Sequence, residues 1–224
     1  MTSGIVIAID GTAACGKGTL AKLLARHYGF AHLDSGALYR LVALSVIEAG
    51  GNPSDVADAV RAAGAIDITR AGEAKIRSDV VGKAASQVAA LPAVRAALFQ
   101  FQRDFASRPP GNSKGAVMDG RDIGTVIAPD ATAKLYVDAK PEIRARRRQL
   151  ELEGLGISRG EADLVVELTA RDAADRSRPI SPLRQADDAA LLDTTDLGIY
   201  AAFAAALALV DPKVRQALAV RPRG

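Results

Sequence analysis

The stretch Gly11-Thr12-Ala13-Ala14-Cys15-Gly16-Lys17-Gly18-Thr19 follows directly on the apolar run Ile5-Val6-Ile7-Ala8-Ile9. It precedes Leu20, Leu23 and Leu24, which recur at helical spacing. It fits the pattern G-x-x-x-x-G-K-[ST] with one extra glycine, Gly18, between the lysine and the threonine. A strand passing through such a loop into a helix exposes successive backbone N–H groups to an anion, and bulky side chains there would obstruct it. The helix that follows points its positive end at the same place. Lys17 would reach the β- and γ-phosphates of a nucleotide, and the Thr19 hydroxyl would bind Mg²⁺. The candidate nucleotide-binding segment is therefore the whole loop: Gly11, Thr12, Ala13, Ala14, Cys15, Gly16, Lys17, Gly18 and Thr19. A tight strand-to-helix turn without a ligand is the competing possibility, and the flanking strand and amphipathic helix weigh against it.

The chain has 224 residues and is 49% hydrophobic, enough for one substantial core with small appended lobes. Aromatic residues make up only 4%, so small aliphatics must fill the interior, which favours helices packed on a sheet. A formal net charge of +3 is too mild for a nucleic-acid binder, although local arginine clusters can still collect anions. Cys15 is the single cysteine, which excludes an internal disulfide and suits a reducing cytosol. Met1 to Gly4 lack the basic start and apolar stretch of a signal peptide. The apolar run Ala201 to Val210 is too short to cross a bilayer. These features lead to the expectation of a soluble cytoplasmic protein with no membrane partner.

Strand-like apolar runs occur at Ile5–Ile9, Ala31–Leu33, Ala116–Met118, Lys134–Val137 and Ala189–Leu192. Helical stretches lie between them, at Gly18–His27, Ala37–Glu48, Pro92–Ala106, Pro141–Glu153, Glu161–Arg176 and Leu197–Leu209, with a final short helix after Asp211-Pro212. Strands alternating with helices of this length imply right-handed βαβ units and a five-stranded parallel sheet flanked by helices, an α/β fold. Asn52–Gly64 reads as a capped short helix. Ile66–Thr69 and Ala74–Arg77 flank Arg70-Ala71-Gly72-Glu73 and predict a hairpin. Residues 52–88 are thus expected to form a small inserted lobe, with residues 1–51 and 89–224 as the core domain.

Three further signatures carry chemistry. Leu33-Asp34-Ser35-Gly36-Ala37-Leu38-Tyr39-Arg40 and Met118-Asp119-Gly120-Arg121-Asp122-Ile123-Gly124-Thr125 each follow a strand. Both should therefore lie at the carboxyl edge of the sheet, where open α/β sheets bind ligands. In Arg171-Asp172-Ala173-Ala174-Asp175-Arg176-Ser177-Arg178, residues Arg171, Asp175 and Arg178 share one helical face. Taken with the loop and with Lys83-Ala84-Ala85-Ser86-Gln87-Val88-Ala89-Ala90-Leu91-Pro92-Ala93-Val94-Arg95, these segments resemble the bacterial cytidylate kinases, P-loop enzymes that phosphorylate CMP and dCMP. The likeness runs from about residue 4 to residue 210.

The resemblance implies ATP as co-substrate with Mg²⁺, CMP or dCMP as acceptor, and a monomer. It implies Lys17, Arg121 and Arg178 as catalytic residues. Ser35 would line the acceptor pocket, and Arg40, Arg121 and Arg178 would hold the acceptor phosphate; planar guanidinium forks suit that task. Ser86, Arg95 and Asp122 would face the cytosine ring with Gly120 beside them, and Arg171 and Asp175 would contact the sugar. A carboxylate at Asp122 accepts from the exocyclic N4 amine of cytosine but meets O4 of uracil lone pair to lone pair. Asp122 could instead cap a helix at Ile123, and Arg171, Asp175 and Arg178 could form an exposed ion-pair ladder.

The run Glu142-Ile143-Arg144-Ala145-Arg146-Arg147-Arg148 is either a solvated basic face or a helix leading into a lid at about residues 150–159, where Gly154 and Gly156 permit bending. No general base is needed, because the acceptor is already a phosphate oxygen, and neither His27 nor His32 is assigned a catalytic role. The family loop reads closer to GPSGAGKGT, so Thr12, Ala13, Ala14 and Cys15 are departures. Cys15, beside a helix N-terminus and a lysine, is expected to be a small space-filler, the alternative being an acidic thiol whose modification blocks ATP binding. Rival functions are another small P-loop kinase, acting on UMP, AMP or shikimate, a non-catalytic ATP-sensing module, and an RNA-binding protein.

Overall fold

The computed structural model describes residues 4–220, so the reading of Met1–Gly4 falls almost wholly outside the described residues. Along them the chain runs β1 (Ile5–Gly11), α1 (Lys17–Tyr28), β2 (Ala31–Asp34), α2 (Ser35–Glu48), α3 (Val56–Gly64), α4 (Asp79–Ala90), α5 (Pro92–Ser107), β3 (Gly115–Gly120), β4 (Ala133–Asp138), α6 (Pro141–Glu153), α7 (Glu161–Arg176), β5 (Ala190–Asp193) and α8 (Ile199–Val220). It divides into two compact units, Met1–Leu33 with Ala106–Gly224, and Asp34–Phe105.

The first unit is built on a five-stranded sheet in the order β2-β3-β1-β4-β5. β1 pairs in parallel with β3, Ile5 opposite Gly115 through Asp10 opposite Gly120, and with β4, Ile7 opposite Ala133 through Gly11 opposite Val137. β4 pairs in parallel with β5. β1 and β3 are buried along their whole length, which is why their sequences are apolar runs rather than alternating patterns. Ile5, Ile7 and Ile9 of β1, Leu20 and Leu24 of α1, and Leu135 and Val137 of β4 share one core with Ala202, Ala206, Val210 and Val214 of α8. Each large aliphatic buried there contributes about 1.5–3 kcal/mol.

That packing corrects one expectation. α8 is a single helix that continues through Pro212, rather than a helix to Leu209 and a separate short one. Val210 and Val214 are both wholly buried, one on each side of Pro212, so core contact holds both halves in line although the proline forfeits a backbone bond.

In the second unit α2 starts where Asp34 Oδ1 accepts the Ala37 N–H at 3.0 Å. α4 packs against α2 and buries Val81, Ala84, Ala85 and Val88. Because α2 packs on α4, this unit extends to Asp34–Phe105, a wider stretch than residues 52–88. The expected hairpin is absent. Ile68–Gly72 and Ala74–Arg77 are two 3₁₀ turns. Asp67 Oδ1 takes the Thr69 N–H at 2.9 Å and closes the first turn locally. A lone two-stranded ribbon would be marginal in water, and Ile76 is the one buried side chain across both turns.

Candidate active site

β1 delivers the chain to Gly11, where a Cβ would lie 2.0 Å from the Val137 carbonyl oxygen of β4, so only glycine fits. Gly16, at φ 93°, turns the backbone into α1. Between them Ala14 holds φ 60°, a left-handed conformation that costs an alanine roughly 1–2 kcal/mol. The loop is gripped from outside. Thr12 Oγ1 donates to Asp138 Oδ1 at 2.6 Å. Asp172 Oδ1 accepts the Ala13 N–H at 3.0 Å, while Arg144 donates to the Ala13 carbonyl at 3.1 Å and to Asp172 Oδ2 at 2.5 Å. Thr194 Oγ1 donates to the Cys15 carbonyl at 2.9 Å, and Arg147 reaches the same oxygen at 3.4 Å. Lys17 Nζ bends back to the Thr12 carbonyl at 2.9 Å. Gly18 and Thr19 lie in the first turn of α1, where Thr19 is exposed.

The basic run of α6 is only in part a solvated face: Arg146 is exposed, whereas Arg144 is 4% exposed and Arg147 half-buried, because they serve the loop backbone. α6 and α7 are joined by residues 154–160, with Gly156 at φ 76°. Cys15 is 0% exposed within the main core. Its thiol is therefore a space-filling group, the reading favoured from the sequence over a reactive thiol.

β3, hydrogen-bonded to β1, ends at the buried Gly120 and hands the chain to Arg121 and Asp122. Arg121 Nε donates to Asp175 Oδ2 at 2.9 Å and its Nη1 to the Gly120 carbonyl at 3.2 Å. Arg178, just beyond the end of α7, donates to Asp175 Oδ1. Arg121 and Arg178 therefore converge on one buried carboxylate, with Arg171 nearby on α7. Burial would raise the Asp175 pKa, but Arg121, Arg178 and Arg171 outweigh it and hold the carboxyl below its usual range. Asp175 thus supplies countercharge to the arginines around it. The ladder is not exposed, since Asp175 is 2% accessible. Ala174 stands exposed on the outer side of α7.

Asp122 is buried, and its side chain makes no capping bond. Asp10 takes that role: Oδ1 accepts the Ile123 N–H at 2.8 Å and Oδ2 the Gly124 N–H at 2.7 Å. The turn it holds, Ile123–Ile127, is a single π-helical turn, a rare geometry that recurs at functional sites. Burial pushes the Asp10 pKa up to about 7, against the lowering effect of the two N–H bonds.

In the second unit, Ser35, Tyr39 and Arg40 lie on α2, with Ser35 and Tyr39 one turn apart. Arg40 Nη1 donates to the Ile76 carbonyl at 2.8 Å, and its guanidinium lies 3.4 Å from where a Cβ on Gly82 would stand. Ser86 Oγ donates to the Gly82 carbonyl at 3.3 Å. The Arg95 guanidinium sits over the Tyr39 ring, 5.4 Å from its centroid, and donates to the Ala89 carbonyl at 3.4 Å. Arg40 and Ser86 thus meet beside Gly82, and Tyr39 links this group to Arg95.

Residues 7–211 match the family model of cytidylate kinase. The chain is 51% identical to a cytidylate kinase of a Bradyrhizobium species and 49% identical to that of Nitrobacter winogradskyi, in each case over 92% of this chain and 96% of the relative. The chain belongs to the cytidylate kinase family. An uncharacterised protein of Eubacterium ventriosum shares the fold alone, at a TM-score of 0.51 and 15% identity over 92% of this chain and 98% of that one. Among the described residues no helix is long and apolar enough to cross a membrane.

Beside the residues singled out from the sequence, some inside the quoted motifs and some outside them, the site contains others whose roles the sequence does not announce. Asp119 of β3 brings Oδ2 within 3.5 Å of where a Cβ on Gly18 would lie, and its Oδ1 pairs with His32 Nε2 at 2.9 Å. Asp138, Arg144, Asp172 and Thr194 hold the loop backbone, and Asp10 holds the Arg121–Asp122 turn. Tyr39 lies inside a quoted motif, yet its stacking with Arg95 is a tertiary fact. Only Asp119 carried a usable signal, a carboxylate at the end of a buried strand beside the loop strand.

Proposed function

We propose that the chain transfers the γ-phosphoryl group of ATP to CMP or dCMP, giving ADP and CDP or dCDP. The observation that carries this is the neighbouring placement, at the carboxyl ends of the paired strands β1 and β3, of a glycine-wrapped phosphate loop and a half-buried arginine pair joined through the buried Asp175. The loop N–H groups and Lys17 would hold the donor phosphates. Arg121 and Arg178 would hold the acceptor phosphate and neutralise charge as it passes between nucleotides, and the resemblance gives Arg40 the same task. The acceptor's phosphate oxygen attacks the γ-phosphorus, the bond to the β-bridging oxygen breaks, and no proton need be removed first. Ser35, Ser86, Arg95 and Asp122 would read the acceptor nucleoside, and Arg171 and Asp175 its sugar.

Among the described residues no cluster of three or more His, Cys, Asp or Glu side chains gathers in a metal-binding arrangement. Mg²⁺, which keeps several waters and binds through few carboxylates, suits such a site. Thr19 would hold it together with nucleotide oxygens, and the Asp119 carboxylate beside Gly18 is placed to act through water. When bound, the ion would neutralise charge on the phosphates. Residues 150–159 would act as a lid that keeps water from the phosphoryl group.

The test is ADP release measured with CMP, dCMP, UMP, AMP and shikimate as acceptors. The proposal expects CMP and dCMP to turn over far faster than the rest. Faster turnover of AMP or shikimate overturns it, and release indifferent to any acceptor identifies a sensing module instead. D122A is expected to lower the CMP-over-UMP preference by about 10–100-fold, as loss of a buried hydrogen-bond match implies.

A further inference from the structure

We propose that Arg147 and Thr194 are positioning residues for the donor nucleotide: they brace the Cys15 carbonyl so that Ala14 keeps its left-handed conformation and the loop keeps its N–H groups turned to the phosphates. The inference rests on the loop being the donor site, and it concerns what keeps that loop in shape. An alanine has no intrinsic preference for φ 60°, so its neighbours must impose it.

Both neighbours are pinned. On one side Ala13 is held at its N–H by Asp172 and at its carbonyl by Arg144. On the other, the Cys15 carbonyl accepts from Thr194 Oγ1 at 2.9 Å and from Arg147 Nη1 at 3.4 Å. Arg147 also donates to Thr194 Oγ1 at 3.0 Å, which leaves the one hydroxyl hydrogen of Thr194 for the carbonyls of Cys15 at 2.9 Å and Asp138 at 3.2 Å, Cys15 being the nearer. Its second nitrogen donates to the Thr194 and Leu197 carbonyls at 2.6 and 3.3 Å. One planar guanidinium thus ties the connection between β5 and α8 to the loop. Ala14 is the single flexible joint between two fixed peptides. Released from one of them, it would relax toward the right-handed region and swing the N–H groups that follow it.

The prediction is an interaction between positions. T194V removes a hydroxyl and little else, and R147M removes the fork while keeping the aliphatic stem. Each is expected to weaken ATP binding by about fivefold in titration calorimetry, with the KM for CMP changed less than twofold. When A14G is added to either variant, the loss is expected to fall below twofold, because glycine occupies the left-handed region without being held there. Equal losses with and without A14G overturn the proposal, as does unchanged ATP affinity in both single variants. If R147M does not fold, T194V alone carries the comparison. Failure of the unsubstituted protein to bind ATP would sink the donor-site reading itself, an outcome separate from any missing interaction.

Discussion

The phosphate loop and the Asp34–Phe105 unit are held in shape by opposite means. The loop is clamped by partners distant in sequence and mostly buried: Asp138 for Thr12, Asp172 and Arg144 for Ala13, and Thr194 for Cys15. The second unit relies largely on local bonds, with Asp34 capping α2, Asp55 capping α3, Ser78 capping α4 and Asp67 closing its turn. Its ion pairs, Arg70 with Glu48 and Glu73, lie at the surface. The physical difference is what meets the ligand. Where backbone N–H groups must point at phosphate, the backbone itself has to be fixed, and only outside contacts can do that. Where guanidinium forks and hydroxyls do the work, a helix that fixes their spacing is enough.

The largest expected effect tests that contrast directly. R144M leaves Asp172 as a buried, uncompensated carboxylate, and removing one partner of such a pair costs about 3–5 kcal/mol, readable in urea unfolding. R70A is expected to leave the unfolding midpoint unmoved, since its partners are solvated. Similar losses from the two substitutions would erase the distinction between the regions.

Next comes function. R40M is expected to raise the KM for CMP by about 10–100-fold, the loss of charge-assisted bonds to a phosphate, while the KM for ATP stays within twofold. A matching rise for ATP would show that Arg40 does not belong to the acceptor side.

The last test concerns Asp10, whose effect is spread over several pH units and which serves the loop strand and the Arg121–Asp122 turn together. Its pKa rises from 3.8 to about 7 on folding. Between those values the native chain keeps a proton that the unfolded chain has released. The contribution of Asp10 to stability is therefore full below about pH 4 and is lost as pH rises through about 7. Its slope is at most about 1.4 kcal/mol per pH unit. D10N should remove that part of the pH dependence, and unfolding curves from pH 4 to 8 in both proteins measure it. An unchanged slope would show that the Asp10 carboxyl is not the group that titrates there.

Much of this molecule was legible beforehand because its signals are local. Ile5–Ile9 reads as a buried strand because every residue is apolar, and Pro141 marks the first turn of α6 because its ring fixes φ and lacks the N–H that position does not use. Two outcomes share a cause. Pro212 reads as a break, and the Glu142–Arg148 run leaves a solvated face open for Arg144. In each, packing against residues far along the chain overruled the local preference. The hairpin failed for the converse reason: a turn signal at Gly72 does not make a ribbon when Ile76 is the one side chain of the segment that is buried.

What the residues alone determined is the chemistry available: a phosphate loop, a set of arginines and a carboxylate suited to an amino-bearing base, each announced by contiguous motifs because adjacent groups in such a turn must act on one ligand. What only the tertiary structure decided is the posture of those groups. The convergence of Arg121 and Arg178 on Asp175, the grip of Arg144, Asp172 and Thr194 on the loop, and the support of the Asp122 turn by Asp10 join residues from separate elements. No short-range pattern encodes such a meeting, since it exists only once the strands have paired and the helices have packed on them.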